Sequence, residues 1–233
     1  MIPVIMPVFS NDDETIKMTE NAVNSIKNKE TVFFIIDNGS TVGGGKLREL
    51  ADVYIKLKSN QGYARAVNLG LKATLGANAV VVANNDIRVS KDWLKVTEDI
   101  MKDKEVGSVH FRMIGYDKPF ELGNDTWTEG KERWCSSSFF VMKPIQLYDD
   151  NFFNSCEDWC FWLRFRALGF KTAYTNKASY QHRDSFTQKK IEDRSENDKK
   201  NREYFKSKYG EYPEVLFKKQ YPEQMEVKWK PFP

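Results

Sequence analysis

The sequence predicts an α/β fold, a mostly parallel sheet flanked by helices and followed by a C-terminal helical extension. Three observations carry that expectation. Short apolar runs alternate with amphipathic stretches over residues 1–113, the order that lays helices on both faces of a parallel sheet. Ala79–Ala83 is wholly apolar, as suits a strand covered on both faces. The chain has 233 residues, 40% of them apolar and 30% charged, enough to close a core without staples.

The elements follow in order. Ile2–Val8 reads as a buried strand and Asp12–Ile26 as a helix capped by Asn11 or Asp12. Thr31–Asp37 is a second strand, stopped by the turn residues Asp37-Asn38-Gly39-Ser40. Leu47–Leu50 is a short helix, Val53–Leu57 a third strand, and Gln61–Leu75 a helix with Ala64, Val67, Leu71 and Leu75 at helical spacing. Ala79–Ala83 is the fourth strand, Lys91–Met101 a helix opened by Ser90, and Val106–Met113 the fifth strand. Gly115–Arg133 is polar and reads as a long loop, the kind that commonly carries function. Ser138–Met142 is a strand, Glu157–Leu168 a helix ended by Gly169, and Lys171–Tyr174 a strand. Gln188–Tyr209 is a highly charged helix. The chain therefore divides into a domain over 1–186, in halves of about 1–113 and 114–186, and an extension over 187–233.

Composition removes several classes. Three cysteines make no disulfide framework, and no Cys-x-x-Cys pair offers a zinc site. Cys156 and Cys160 lie four apart without His or Cys partners nearby, so burial is their reading. Two histidines leave little for a histidine-built metal site, whereas carboxylates can hold a hard cation. The longest apolar stretches are under ten residues, and Met1–Phe9 lacks a basic n-region. The expectation is a reduced, cytoplasmic protein. The net charge of +3 lies wholly in residues 187–233, which hold 12 Lys/Arg against 9 Asp/Glu. The balanced first 186 residues disfavour a nucleic-acid partner.

In open α/β sheets ligands bind beyond the carboxyl ends of the strands. Those ends carry Asp37-Asn38-Gly39-Ser40, Asn60-Gln61-Gly62 and Asn84-Asn85-Asp86. Gly43-Gly44-Gly45-Lys46 fails as a Walker loop, because Ser40 and Leu47 stand where Gly and Ser or Thr are needed. The dinucleotide glycine fingerprint is also absent after the first strand, where Pro7-Val8-Phe9-Ser10 stands.

The order of these motifs carries a resemblance. Val4-Ile5-Met6-Pro7-Val8-Phe9, Ile36-Asp37-Asn38-Gly39-Ser40, Asn60-Gln61-Gly62-Tyr63-Ala64-Arg65-Ala66-Val67-Asn68-Leu69-Gly70, Asn84-Asn85-Asp86 and Glu157-Asp158-Trp159-Cys160-Phe161-Trp162-Leu163-Arg164 together resemble a family 2 glycosyltransferase of the GT-A fold, over roughly residues 2–183. The resemblance implies an inverting transfer from a nucleotide-diphospho-sugar, UDP- or dTDP-linked, to a glycan or lipid-linked acceptor. Pro7, Phe9, Asp37, Asn38, Asn60, Gly62, Arg65, Asn68, Asn84, Asn85 and Asp86 would line the donor site. Asp37 would accept the imide N–H of uracil or thymine. Asp86 and His182 would hold Mn2+ or Mg2+. Asp158 would take the acceptor hydroxyl's proton, with Glu157 beside it.

Each assignment has a plainer reading. Asp37 and Asp86 suit turns, Gly62 and Ala64 suit tight helix packing, and a lone His182 suits a structural role. Ser155-Cys156-Glu157-Asp158 fits a capping box. Trp127 and Trp134, on the polar loop, are the acceptor-contact candidates. Asn84 and Cys160 stand where the family often has carboxylates, which motivates a non-catalytic sugar-nucleotide binding module as the alternative. The extension could lie on an anionic membrane or form a dimer contact.

Overall fold

The computed structural model describes residues 1–128, 138–183 and 194–220. The strands are β1 Ile2–Val8, β2 Thr31–Asp37, β3 Val53–Lys56, β4 Val80–Ala83, β5 Ile87–Val89, β6 Val106–Gly115, β7 Thr126–Thr128, β8 Phe139–Met142 and β9 Lys171–His182. The helices are α1 Asp13–Ile26, α2 Gly44–Leu50, α3 Tyr63–Ala73, α4 Trp93–Ile100, α5 Glu157–Ala167, α6 Arg194–Tyr209 and α7 Pro213–Gln220.

Local chemistry sets the first helices. Asp12 is the cap of α1, its Oδ1 accepting the Thr15 N–H at 2.8 Å. Thr19, Val23 and Ile26 follow at helical spacing on the buried face. On α3, Gly70 is required by close approach, because a Cβ there would meet Ile5 Cγ2 at 2.3 Å.

Among the described residues one sheet runs β3-β2-β1-β4-β8-β6-β9-β5, with β7 also on β9. β3, β2, β1 and β4 are parallel. β8 then runs antiparallel to both β4 and β6, while β6 and β9 pair parallel. The sheet is therefore mixed, with its parallel half made by β3, β2, β1 and β4. The strand order reverses at β1, which has β2 on one side and β4 on the other.

Alternation along β1 feeds two layers. Val4, Met6 and Val8 join Ile16, Val23 and Ile26 of α1, Leu47 of α2 and Trp93 of α4. Ile5 faces the other layer, with Val67 and Leu71 of α3 and Phe161, Trp162 and Phe165 of α5. Each such side chain contributes about 1.5–3 kcal/mol on full burial. A third cluster lies beyond α5, where Phe152, Cys156 and Cys160 meet Phe205 of α6. Both cysteines are free and buried, as their spacing suggested.

Three elements differ from expectation. β5 is a three-residue strand whose place is fixed by antiparallel pairing to β9, too short to show a period. β7 interrupts the polar loop by pairing to the same edge of β9. β9 continues eight residues past Tyr174, through the polar stretch Thr175-Asn176-Lys177, because β6 keeps pairing with it across a register shift. No helix among the described residues is long and apolar enough to cross a membrane.

Candidate active site

The carboxyl ends of β1, β2 and β4 bring the donor-side residues to one edge. Asp37, the last residue of β2, is fully buried. Its Oδ1 accepts the Ser40 N–H at 2.7 Å, its Oδ2 accepts the Tyr54 hydroxyl, and Lys56 Nζ lies 3.7 Å from Oδ2. Both carboxylate oxygens are thus oriented by the chain itself.

The following loop is self-bonded. Asn38 Nδ2 donates to Asn60 Oδ1 and to the Gly62 carbonyl, and Asn38 Oδ1 accepts the Gln61 N–H. Asn60 Oδ1 also accepts the Gly62 N–H. Gly62 has φ +85°, and a Cβ there would meet the Phe153 ring at 2.8 Å. A glycine is needed on both counts. Pro7 is buried near the end of β1, beyond the last β4 pairing, and Phe9 is half-buried just after it.

Two donor-side candidates are turned to other work. Asn68 is buried and brackets Tyr148, Oδ1 accepting its N–H at 2.7 Å and Nδ2 donating to its carbonyl at 3.0 Å and to Asp150. Asn85 is buried and donates to Thr19 Oγ1 of α1. Both are long-range braces, which a motif does not reveal. Arg65 is exposed at the rim, with Nε 3.3 Å from the Asp150 carbonyl and Nη1 3.3 Å from Gln61 Oε1.

The turn after β4 meets the end of β9. The Arg183 N–H donates to the Asp86 carbonyl at 3.0 Å, which places His182 Nε2 3.3 Å from Asp86 Oδ1. Ser138 Oγ lies 3.5 Å from His182 Nδ1. Arg183 itself turns outward to Glu14 of α1.

Glu157 and Asp158 open α5. Glu157 is buried and Asp158 half-buried. Burial, and then the neighbouring Asp158 charge, holds Glu157 well above the usual carboxylate range; burial also raises Asp158, by less. Asp158 Oδ1 accepts the Trp159 N–H at 2.8 Å, and Ser155 Oγ accepts from Asn201 Nδ2.

Tyr63, which the motifs did not single out as a site residue, joins the two sides. It begins α3, its N–H donates to Asn154 Oδ1 at 2.8 Å, and its ring meets Tyr148 edge-on. Burial and then the charges of Glu157, Asp158 and Asp86 hold its hydroxyl protonated well above the usual phenol range. One hydroxyl therefore senses both the carboxylate pair and the Asp86 end of the sheet. Asn154 and Cys156, at φ 58° and 63°, shape the approach to the carboxylates in the left-handed region.

The acceptor candidates fare differently. Trp127 lies on β7, its ring 5.6 Å from Tyr174. Tyr174 pairs with His110 of β6 and His182 with Gly115, so five strand residues, about 17 Å at ~3.3 Å each, separate Trp127's partner from His182. The sheet thus sets Trp127 at mid-strand on β9, away from the His182 end. Trp134 lies outside the described residues.

The sequence model of glycosyl transferase family 2 matches residues 4–169. The chain belongs to glycosyl transferase family 2. Its GT-A fold is shared with solved structures. Residues 1–349 of S. aureus TarS in complex with UDP give a TM-score of 0.62 at 18% identity, over 77% of this chain and 59% of that one. The mannosyltransferase PcManGT from Pyrobaculum calidifontis, in complex with GDP-Man and Mn2+, gives 0.58 at 17% identity, over 75% and 54%. GalNAc-T7 with UDP, GalNAc and Mn2+ gives 0.61 at 12% identity, over 78% and 44%. The chain thus spans roughly half the length of these structures. No curated protein sequence matches it. The family 2 match ends at Gly169, so His182 and all of α6 lie beyond it.

The donor set at Asp86 fits a divalent cation of the kind family 2 residues imply. Asn84 Oδ1 is buried with no hydrogen-bond partner among the described residues, and buried Asp86 Oδ1 faces the His182 imidazole. No cluster of three or more His, Cys, Asp or Glu among the described residues could hold a metal alone.

Proposed function

We propose that this family 2 protein is a metal-dependent inverting glycosyltransferase that moves a sugar from a nucleotide-diphospho-sugar to an acceptor hydroxyl in glycan or polysaccharide synthesis. The observation that carries the reading is the pair of unlike acidic sites that the fold builds. A carboxylate pair with raised proton affinity opens α5, and the Asp86–His182 pair ends β4 and β9, with the Tyr63 hydroxyl in the field of both.

In this reading Asp37 accepts the imide N–H of a UDP or dTDP base at the β2 end. The Tyr54 hydroxyl, which now occupies Oδ2, moves aside or shares it. Asp86 and His182 would hold Mn2+ or Mg2+, which when bound offsets the charge of the diphosphate. Asp158, the more open carboxylate of the pair, takes the acceptor hydroxyl's proton. The acceptor oxygen bonds to the anomeric carbon from the face opposite the nucleotide, and the C–O electron pair leaves with the diphosphate. Glu157 keeps its proton to higher pH and leaves Asp158 as the base.

The sign of the pH dependence follows. Asp158 must be ionised, and burial raises its proton affinity, so turnover falls on the acid side at a higher pH than for an exposed carboxylate. Nucleotide release measured with a panel of donors, with and without EDTA, tests the proposal. Metal-dependent release with at least one donor is expected; donor binding by calorimetry with no turnover on any acceptor would favour a binding module instead. In this reading the protein works in the cytoplasm on a glycan or lipid-linked acceptor.

A further inference from the structure

We propose that Asn201, on α6 beyond the family match, is a positioning residue for the Glu157–Asp158 pair. The inference rests on the catalytic reading above and adds a residue from outside the domain that carries it. α6 is a highly charged helix, yet Asn201 is only 4% exposed, and it shares a helix face with buried Phe205 four residues on. Phe205 alone would anchor the helix through the third apolar cluster.

Asn201 does something different. Its Oδ1 accepts the Phe153 N–H at 3.2 Å, and its Nδ2 donates to the Phe153 carbonyl and to Ser155 Oγ, both at 2.8 Å. A side-chain amide bonded to both the N–H and the C=O of one residue fixes the tilt of that backbone as well as its position. The segment so held contains the left-handed Asn154 and Cys156 and runs directly into Glu157. In that conformation Asn154 reaches the Tyr63 N–H and the Phe153 ring lies against Gly62. Asn201 thus closes a chain of contacts from the donor-side loop to the first residues of α5.

A second anchor on the same helix lies apart from this chain. Lys208 Nζ pairs with Asp149 Oδ2 at 2.5 Å, and the Tyr204 hydroxyl donates to the same oxygen at 3.1 Å. Holding α6 and orienting 153–156 are therefore separable. The groups facing Glu157 are Asp158 on its own helix, Asp198 on α6 and Tyr63 on α3. Loosening 153–156 admits water to the pair and moves its proton affinity toward that of exposed carboxylates.

The test compares Asn201→Leu, of similar size, with Lys208→Met in the full chain, below the melting temperature of each. Asn201→Leu is expected to lower kcat on the order of 10- to 10²-fold with donor KM unchanged. It is also expected to move the acid limb of the kcat profile to lower pH, while Lys208→Met moves neither. Wild-type kcat and acid limb in Asn201→Leu, or equal losses in both variants, would overturn the proposal. If the wild type turns over no donor, the catalytic reading fails on its own. Carbon-13 NMR titration of the Glu157 and Asp158 carboxyls then decides: a shift in Asn201→Leu alone supports positioning, and no shift refutes it. Should Asn201→Leu not fold, Ser155→Ala removes one of the three bonds and is expected to move the titration the same way by less, with an unmoved titration counting against the proposal.

Discussion

The two halves of the sheet are built on different terms. The donor edge at β1, β2 and β4 is held by two loops bonded within and across themselves: Asp37 to Ser40 and Asn60 to Gly62 locally, and Asn38 to Gln61 and Gly62, 23 and 24 residues on. The acceptor edge is held from farther along the chain: Asn154 on Tyr63, 91 residues away, and Asn201 on Phe153, 48 away. It also keeps buried polar atoms without hydrogen-bond partners among the described residues, including Asn154 Nδ2 and Glu157 Oε2. Unpartnered buried atoms and left-handed backbone are costly, and they gather where a ligand or a proton is to be handled. The difference separates a preformed cradle from a reactive face.

Changes on either side sharpen that contrast. The largest effect is expected from Asp158→Asn, which removes the base. Turnover should fall ~10²- to 10⁴-fold while donor affinity by calorimetry stays as in the wild type. Next is Asp86→Ala, expected to lower turnover roughly 10²-fold and to abolish the response to added Mn2+ in a nucleotide-release assay. Asn68→Ala belongs to the cradle and leaves the buried Tyr148 backbone without its partners. It should lower unfolding stability by about 1–3 kcal/mol in urea titrations.

The smallest change is one of stability with the opposite sign. Glu157 takes up its proton more readily folded than unfolded, so between the ordinary carboxylate range and its raised folded value the native state binds more protons. Stability is complete below that window and is lost as pH rises through it. Glu157→Gln removes the loss, and its melting temperature should exceed the wild type's increasingly toward alkaline pH, by the equivalent of at least ~1 kcal/mol. No gain at alkaline pH would show that Glu157 is not held protonated by burial.

Much of the donor half is legible in the sequence because its rules are local. β1 and β2 match their apolar runs residue for residue, and Asp12 caps α1 as its position suggests. Asp37 and Asp86 stand at strand ends for the same reason, since polar residues after an apolar run must emerge at the sheet edge. The acceptor half is less readable. β5 and β7 exist because β9 offers them an edge, and nothing in three residues announces that. Trp127 reads as part of a polar loop, whereas pairing with β9 sets it opposite Tyr174. Asn68 and Asn85 look like donor contacts, yet their partners, Tyr148 and Thr19, are 80 and 66 residues away. Tyr63 and Asn201 are missed in turn, although an Asn at 154 ahead of Cys156-Glu157-Asp158 is a usable hint of left-handed backbone.

The central claim is that both halves act on one bound donor. Carbon-13 NMR of the Asp and Glu carboxyls, with Mn2+ added as a paramagnetic probe together with UDP, tests it most directly. The account predicts that the Asp86, Glu157 and Asp158 signals broaden together and recover on adding EDTA. Broadening that spares Asp86, or that reaches Asp86 but leaves Glu157 and Asp158 sharp, would contradict it.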